Sequence, residues 1–266
     1  MNAFGFYEPT SVRKAVAIAA DHSEGKYVAG GQTLLAAMKL GLATPSDLVD
    51  LGKIPELAAI TYDKAADAVV VGSMAKHAQV AASSEIASRI PALAHVAGLI
   101  GDVQVRNRGT LGGSIANNDP AADYPAAVLG LGATIVTDQR KIAADEFFKG
   151  LFETALNPNE LITSVSFPVP KRAAYMKFRN PASRFAVVGV FVAQAGSGIR
   201  VAVTGAGSAG VFRVKAMEDA LAKNWSPDAV KSIAVPASGL QTDIHASAEY
   251  RAHLITVLAQ RAIAAA

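Results

Sequence analysis

Apolar residues recur at helical spacing over Thr10–Ala20, where Val12, Ala15, Val16 and Ala19 follow a Thr10-Ser11 capping pair. A short apolar run, Lys26–Ala29, reads as a strand entering Gly30-Gly31, and Thr33–Lys39 reads as a helix ended by Gly41. Leu48–Leu51 is a second short strand, bounded by Pro45 and Gly52. Ala58–Tyr62 and Ala68–Gly72 pattern as a hairpin with Asp63-Lys64 near its turn. Helices are expected at Ala75–Ala82 and at Ile90–Leu99, where Pro91 suits a first turn.

The pattern breaks over 101–125, a stretch dense in Gly, Asn and Asp that reads as a long irregular segment with a job to do. Beyond it, Ala126–Leu131 reads as a helix and Ala133–Thr137 and Leu161–Phe167 as strands. Pro168 and Pro170 mark a boundary, giving units over 1–168 and 169–266, the first divisible near residue 55. In the second unit Ala174–Arg179, Phe185–Gln194 and Ile199–Thr204 read as antiparallel strands. Helices follow at Val214–Ala222 and Ser247–Ala265, the last with Ala248, Leu254, Leu258 and Ile263 on one face and Arg251 and Arg261 elsewhere. Strands followed by helices give an α+β class.

Composition narrows the chemistry. With 51% hydrophobic and 18% charged residues the 266-residue chain can build a full core. It has no cysteine, which removes disulfides, thiolate-held clusters or zinc, and a cysteine nucleophile. The net charge of +3 comes from scattered residues, so nucleic acid is not an expected partner. No segment is long and apolar enough to span a bilayer, and the N-terminus MNAFGFYEPTSV has no signal-peptide pattern, so a cytoplasmic protein is expected.

Three glycine-rich loops compete as sites. Thr204–Gly210 matches G-x-G-x-x-G at Gly205, Gly207 and Gly210, but no second strand ending in an acid follows, so a structural turn is expected. Ala29–Leu35 ends a strand and opens a helix, and its paired glycines let backbone N–H groups approach an anion. Thr110–Ser114 carries a second glycine pair between two hydroxyl residues. Each of these two loops reads either as a tight turn or as half of a pyrophosphate cradle. Asp119 and Asp123 read as turn or cap residues, or as acceptors for a ligand hydroxyl. The five histidines, His22, His77, His95, His245 and His253, show no metal-ligand spacing.

The blocks AGGQTLLAAMKLGLATPSDLVDL at 29–51 and IGDVQVRNRGTLGGSIANNDPAADYPAAVLGLGATI at 100–135 resemble the two flavin loops of the FAD-binding medium subunits of molybdenum hydroxylases, the carbon monoxide dehydrogenase, xanthine dehydrogenase and aldehyde oxidase family. ELITSVSFP at 160–168 and DIHASAEYRAHLITVLAQRA at 243–262 are similar to its later landmarks. The resemblance implies a vanillyl-alcohol-oxidase/PCMH-type FAD-binding domain of two α+β subdomains, with a C-terminal α+β domain of the CO dehydrogenase flavoprotein type. It implies that Ala29, Gly30, Gly31, Gln32, Thr33 and Leu34 wrap the pyrophosphate and ribityl chain, with Lys26 beside them. Thr110, Leu111, Gly112, Gly113 and Ser114 would hold the pyrophosphate from the other side, with Gly109 and Asn117 near the same wall; Val105 is a further cofactor-binding candidate. Asp123 would bond a sugar hydroxyl, Leu161 would meet the cofactor through its backbone, and Lys177 would lie near the ring.

The implied role is electron transfer, with no catalytic residue in this chain. Substrate oxidation belongs to a molybdopterin cofactor on a large partner, and 2Fe-2S clusters on a small partner pass electrons to non-covalent FAD, in an (αβγ)2 assembly. The chain departs from the family at Ser183-Arg184-Phe185-Ala186, where Gly-Asp-Phe-Ala is common. Rival readings are a stand-alone FAD-dependent oxidoreductase, a non-catalytic nucleotide-binding assembly module, and an NAD-dependent enzyme using Gly205–Gly210.

Overall fold

The computed structural model describes residues 2–196 and 198–266. The first 50 residues build a small parallel sheet from β1 (Gly5–Tyr7), β2 (Lys26–Val28) and β3 (Asp47–Asp50), in the order β1-β3-β2. Two helices make the crossovers, α1 (Val12–Asp21) and α2 (Leu34–Lys39). Ser11 caps α1 by accepting the Lys14 N–H, as the capping pair predicts.

The next unit starts with the expected hairpin, β4 (Ile60–Asp63) and β5 (Ala68–Gly72). Four helices follow: α3 (His77–Ala82), α4 (Ser84–Arg89), α5 (Pro91–Gly98) and α6 (Val103–Arg106). Then come α7 (Leu111–Asn117), α8 (Tyr124–Leu131), β6 (Thr134–Thr137), β7 (Lys141–Ala143) and α9 (Ala144–Phe147). A two-stranded ribbon of β8 (Phe148–Gly150) and β9 (Glu153–Thr154) leads to β10 (Ile162–Pro168), which closes a five-stranded antiparallel sheet, β4-β5-β10-β6-β7.

The expectation of irregular chain over 101–125 is wrong in this respect: α6 and α7 lie inside it. Asp102 accepts the Val105 N–H and Thr110 the Gly113 N–H, so side-chain caps start both short helices, α7 despite its glycine pair. Such caps leave no hydrophobic period to read.

The last unit is a meander, β11 (Arg172–Arg179), β12 (Ala186–Ala195), β13 (Gly198–Thr204) and β14 (Phe212–Arg213). One face is covered by α10 (Lys215–Lys223), α11 (Pro227–Val230) and α12 (Ala248–Ala265), around a core of Val188, Val190, Val201, Met217, Ile255 and Leu258. The other face packs on the second unit: Tyr175, Phe191, Ala193 and Ala202 join its core. Between them lies α8, every residue of which is buried. This is why YPAAVLGL shows no polar face. At Gly130 the helix comes so near the sheet that a Cβ would stand 2.7 Å from Phe191 Cδ1.

One further expectation is corrected. Arg251 is not on an outer face but 2% exposed, its Nη1 donating to the carbonyls of Val187 (2.6 Å) and Gly205 (2.7 Å) and its Nη2 to Asp243 (2.7 Å). Burial of a guanidinium is tolerated because backbone acceptors and a carboxylate meet it. The third glycine loop joins β13 to the antiparallel β14 rather than entering a helix. Gly205 (φ +80°) donates its N–H to Pro120 O at 2.8 Å, and a Cβ there would overlap the Ala186 carbonyl oxygen. It is a turn that fastens the third unit to the second.

Candidate functional site

The two remaining glycine loops touch. Ala29–Thr33 leaves the end of β2, while Gly109–Gly113 enters α7. A Cβ on Gly30 would overlap the Arg108 carbonyl oxygen and stand 2.7 Å from Gly109 Cα, so the loops abut backbone to backbone. Gly31 takes φ +72°, which turns the chain out of the strand. The loops are nevertheless not equivalent.

In the first loop the N–H groups of Gly30, Gly31, Gln32 and Thr33 find no partner among the described residues. Gln32 and Thr33 are exposed, and Thr33, at the N-cap of α2, makes no side-chain cap bond. Consecutive unpaired N–H groups form a concavity suited to an anion. In the second loop most donors are engaged. Leu111 N–H bonds Ala75 O (3.0 Å), Gly112 N–H bonds Ser73 O (2.8 Å) and Gly113 N–H bonds Thr110 Oγ1 (3.1 Å). His77 N–H in turn bonds Gly109 O (3.0 Å), so 109–112 is zipped to 73–77 like an added strand.

The candidates in the second loop therefore separate. Leu111 is wholly buried, and Gly112 is packed on Ser73, 2.5 Å from where its Cβ would be, so these two hold the fold. Gly109 is pressed on the His77 ring, with Nε2 at 2.5 Å from its ideal Cβ. Gly113 alone has room: a Cβ would meet Thr110 Oγ1 at 3.0 Å and Ala29 Cβ at 3.7 Å. It looks across to the first loop, with the half-buried Ser114 beside it. Thr110 Oγ1 accepts the Gly113 N–H and keeps its own proton to donate.

Elsewhere the structure redistributes roles. Lys26 is exposed at the start of β2, Leu34 packs into the small core with Val28, Met38 and Leu48, and Asn117 is half-buried at the end of α7. Val105 accepts the Gly109 N–H through its carbonyl (2.7 Å). Leu161 N–H is held by Asp138 Oδ1 (2.7 Å) and its carbonyl accepts Asp138 N–H (3.0 Å), so its N–H is committed to the fold while its carbonyl keeps one lone pair.

Asp123 is 4% exposed and makes no cap bond for α8, against its turn-and-cap reading. Its Oδ1 accepts Tyr175 OH (2.6 Å) and its Oδ2 accepts Lys177 Nζ (2.8 Å), while Lys177 also donates to Leu99 O (3.2 Å). Burial pushes the Asp123 carboxyl up, opposed by Lys177 and Tyr175; burial and the Asp123 charge push the Tyr175 phenol well up, so it donates. The ion pair binds β11 to the start of α8, and Asp123 and Lys177 answer each other before any ligand. Asp119 keeps the turn role, accepting Ala121 N–H at 2.8 Å.

Sequence reasoning passed over His77. It is buried behind the second loop against Tyr124 (ring centroids 5.3 Å), with Nδ1 unpartnered. Burial, then the Arg106 charge, holds its pKa down at about 4, so the imidazole is neutral. The signal available was its place next to Lys76, which bridges to Thr110.

Unpaired N–H groups in the first loop, a bare Gly113 in the loop that abuts it and a hydroxyl proton at Thr110 fit a dinucleotide pyrophosphate, and define a class: a nucleotide-holding protein with paired glycine loops rather than a Rossmann fold. Residues 2–170 match the family described as FAD binding domain in molybdopterin dehydrogenase. The chain is 33% identical to the carbon monoxide dehydrogenase medium chain of Hydrogenophaga pseudoflava, over 99% of this chain and 96% of that one. It is 34% identical to the nicotine 6-hydroxylase medium subunit of Paenarthrobacter nicotinovorans, over 98% and 96%. Among solved structures it superimposes on quinoline 2-oxidoreductase from Pseudomonas putida 86 with TM-score 0.88, 28% identity, and 100% and 97% coverage. The chain belongs to the FAD-binding medium-subunit family of the molybdenum hydroxylases.

Proposed function

We propose that this chain holds FAD non-covalently between its two glycine loops and passes electrons from iron–sulfur clusters of a small partner to an external acceptor. Oxidation of the substrate would take place at a molybdopterin cofactor on a large partner. The observation that carries this is the run of four N–H groups at Gly30–Thr33, unpaired among the described residues, beside a loop whose Gly113 lies uncovered near Ala29. FAD supplies the redox chemistry, since its ring takes and releases electrons.

The residues of the chain bind and orient. Backbone N–H groups of the first loop and the Thr110 hydroxyl donate to pyrophosphate oxygens; Gly113 lets the chain approach; Ser114 and Asn117 offer polar side chains along α7. On the resemblance, Lys177 would lie near the ring and Asp123 near a sugar hydroxyl, Val105 would also contact the cofactor, and Lys26 would stand beside the first loop. The division at 168/169, supported by the break between the sheets of β10 and β11, makes the last unit a cover for that site. The assembly is (αβγ)2 and cytoplasmic; no helix among the described residues is long and apolar enough to cross a membrane.

The purified chain should carry the visible flavin band, and substrate alone should not bleach it. Adding the molybdenum and iron–sulfur partners should restore bleaching. A lone chain that reduced its flavin with substrate at a turnover-competent rate would replace this reading with a self-contained oxidoreductase, and a colourless chain unable to take up FAD would favour an assembly module.

A further inference from the structure

Two guanidinium groups from different units converge on one carbonyl. Arg184, in the loop between β11 and β12, donates Nη1 to Gly101 O at 3.3 Å. Arg106, at the end of α6, donates Nη1 to Ile100 O at 3.1 Å and to the same Gly101 O at 3.2 Å. Lys177 reaches this turn from within, through Leu99 O, but its charge is answered by Asp123. Neither arginine has a carboxylate within ion-pair distance among the described residues. The nearby acid is Asp102, whose Oδ1 is occupied as the α6 cap by Val105 N–H at 2.8 Å. That N–H, foremost, with the charges of Arg184 and Arg106 contributing, keeps the Asp102 carboxyl below its usual range. Two cations against one committed carboxylate leave the turn with excess positive charge.

The loop that presents Arg184 is fixed. Asn180 N–H donates to Phe185 O (2.8 Å), Arg184 N–H to Asn180 O (2.9 Å), and Asn180 Oδ1 accepts from Ala182 N–H (2.9 Å) and Ser183 N–H (3.1 Å). Those two donors set the amide orientation, so Nδ2 is the end that meets His245 Nδ1 at 3.1 Å. Arg184 itself takes φ +64°, a left-handed conformation that an L residue adopts only when its surroundings impose it. The side chain is exposed, as an incoming small molecule requires.

We propose that Arg184 and Arg106 form a docking point for the anionic group of the external electron acceptor, a small molecule bearing phosphate or carboxylate charge, at the outer rim of the cofactor site. This rests on the reading of the chain as a flavin-holding subunit, since Val105 and Lys177, which flank the turn, are the positions that reading puts near the cofactor. Guanidinium forks match phosphate and carboxylate oxygens in pairs, and a cationic rim raises the encounter rate of anions while lowering that of cations.

The test uses the full chain loaded with FAD, reduced under argon by light with EDTA as the sacrificial two-electron donor, desalted anaerobically, and mixed in a stopped-flow cell with ferricyanide, a trianion, or hexaammineruthenium(III), a trication. Two ions of either oxidant take one electron each from one dihydroflavin, giving two reduced complexes and oxidised flavin, with the protons passing to water. The readout is the ratio of the two second-order constants, from which any change in flavin potential largely cancels. Arg184→Gln should lower the anion-to-cation ratio roughly tenfold at low salt, with Arg184→Glu lowering it further and Arg106→Gln acting in the same direction. The differences should collapse at about 1 M salt, where the screening length is about 3 Å. A flavin-loaded chain whose ratio ignores Arg184 and Arg106 overturns this inference alone. Variants that lose FAD while the remaining holoprotein keeps its ratio also overturn it, because the guanidinium groups would then serve the cofactor. A wild-type chain that takes up no FAD overturns the proposed function, and this inference with it.

Discussion

Gly113 can be separated from the other loop glycines because its bareness serves nothing in the protein itself. A methyl group there would touch Thr110 Oγ1 at 3.0 Å and Ala29 Cβ at 3.7 Å, a crowding that a small shift of the hydroxyl relieves. The residue lies in α7 and is absent from the positive-φ glycines, so alanine should bring a helix-propensity gain of up to about 1 kcal/mol. Apoprotein carrying Gly113→Ala should melt at or slightly above the wild-type temperature. If the pyrophosphate lies against this Cα, the same methyl group displaces it, and overpacking of about 1–3 kcal/mol corresponds to roughly 5- to 150-fold weaker FAD. Gly113→Val, bulkier still, should give folded but colourless protein. The control is Gly112→Ala, whose Cβ would stand 2.5 Å from Ser73 Cβ and 2.7 Å from Ser73 O; it should lower the melting temperature of the apoprotein as well as its flavin content. Flavin occupancy from absorbance, a fluorescence titration of apoprotein with FAD, and circular-dichroism melts supply the three readings. Normal flavin affinity in Gly113→Val would remove this loop from the site, and a melting loss equal to that of Gly112→Ala would make Gly113 structural.

Three shorter predictions follow from the same contacts. Asp123→Ala strands the buried Lys177 ammonium, so urea unfolding should show a loss of about 3–5 kcal/mol, larger than any change in FAD affinity; a loss below about 1 kcal/mol would mean that the pair is not the clasp between α8 and β11. His77 is neutral in the fold, with a pKa of about 4 against about 6.5 unfolded, so the unfolded state takes up its proton first as pH falls. Stability should therefore drop by about 2 kcal/mol from pH 7 to pH 5, full strength returning above about pH 6.5, and His77→Gln should flatten that slope; equal slopes would remove His77 as its source. Gly207→Ala, whose Cβ would overlap the Gly210 carbonyl oxygen, should lower stability without altering any NAD(H) interaction, and loss of a measurable one would revive the dinucleotide reading of that loop.

Elements with a period were legible: α1, the β4–β5 hairpin and the long α12 fall within a few residues of the pattern that predicts them. The apolar run Phe185–Gln194 was legible as a strand because β12 is covered on both faces, by α12 on one side and α8 on the other. What escaped was held by single side chains rather than by periodicity. The helices α6 and α7 depend on caps at Asp102 and Thr110, and α4 on Ser83 accepting Ile86 N–H. Arg251 looked like a surface residue because its partners, the carbonyls of Val187 and Gly205, lie 64 and 46 residues away. The paired glycines were visible as a motif, but not the difference between them. Whether a glycine is bare toward protein or toward a ligand depends on neighbours such as Ser73 and Arg108, which carry no local mark.

That difference bears on how the site works as a unit. The first loop is held less tightly, since the N–H groups of Gly30–Thr33 are unpaired among the described residues, while Gly30 abuts Arg108 and Gly109 of the second loop. The second loop is fixed three times over: by the 73–77 segment, by the His77 ring and by the cap at Thr110. It runs through α7 to Asp123, and Asp123 is tied to the last unit by Tyr175 and Lys177. The meander is therefore not an appended domain. It buries the outer side of α8 and holds the chain that leaves the second loop, so displacing it would disturb the wall that abuts the first loop. On the proposed reading, an anion at the first loop would satisfy donors left unpaired among the described residues, on a surface whose opposite wall is already in place.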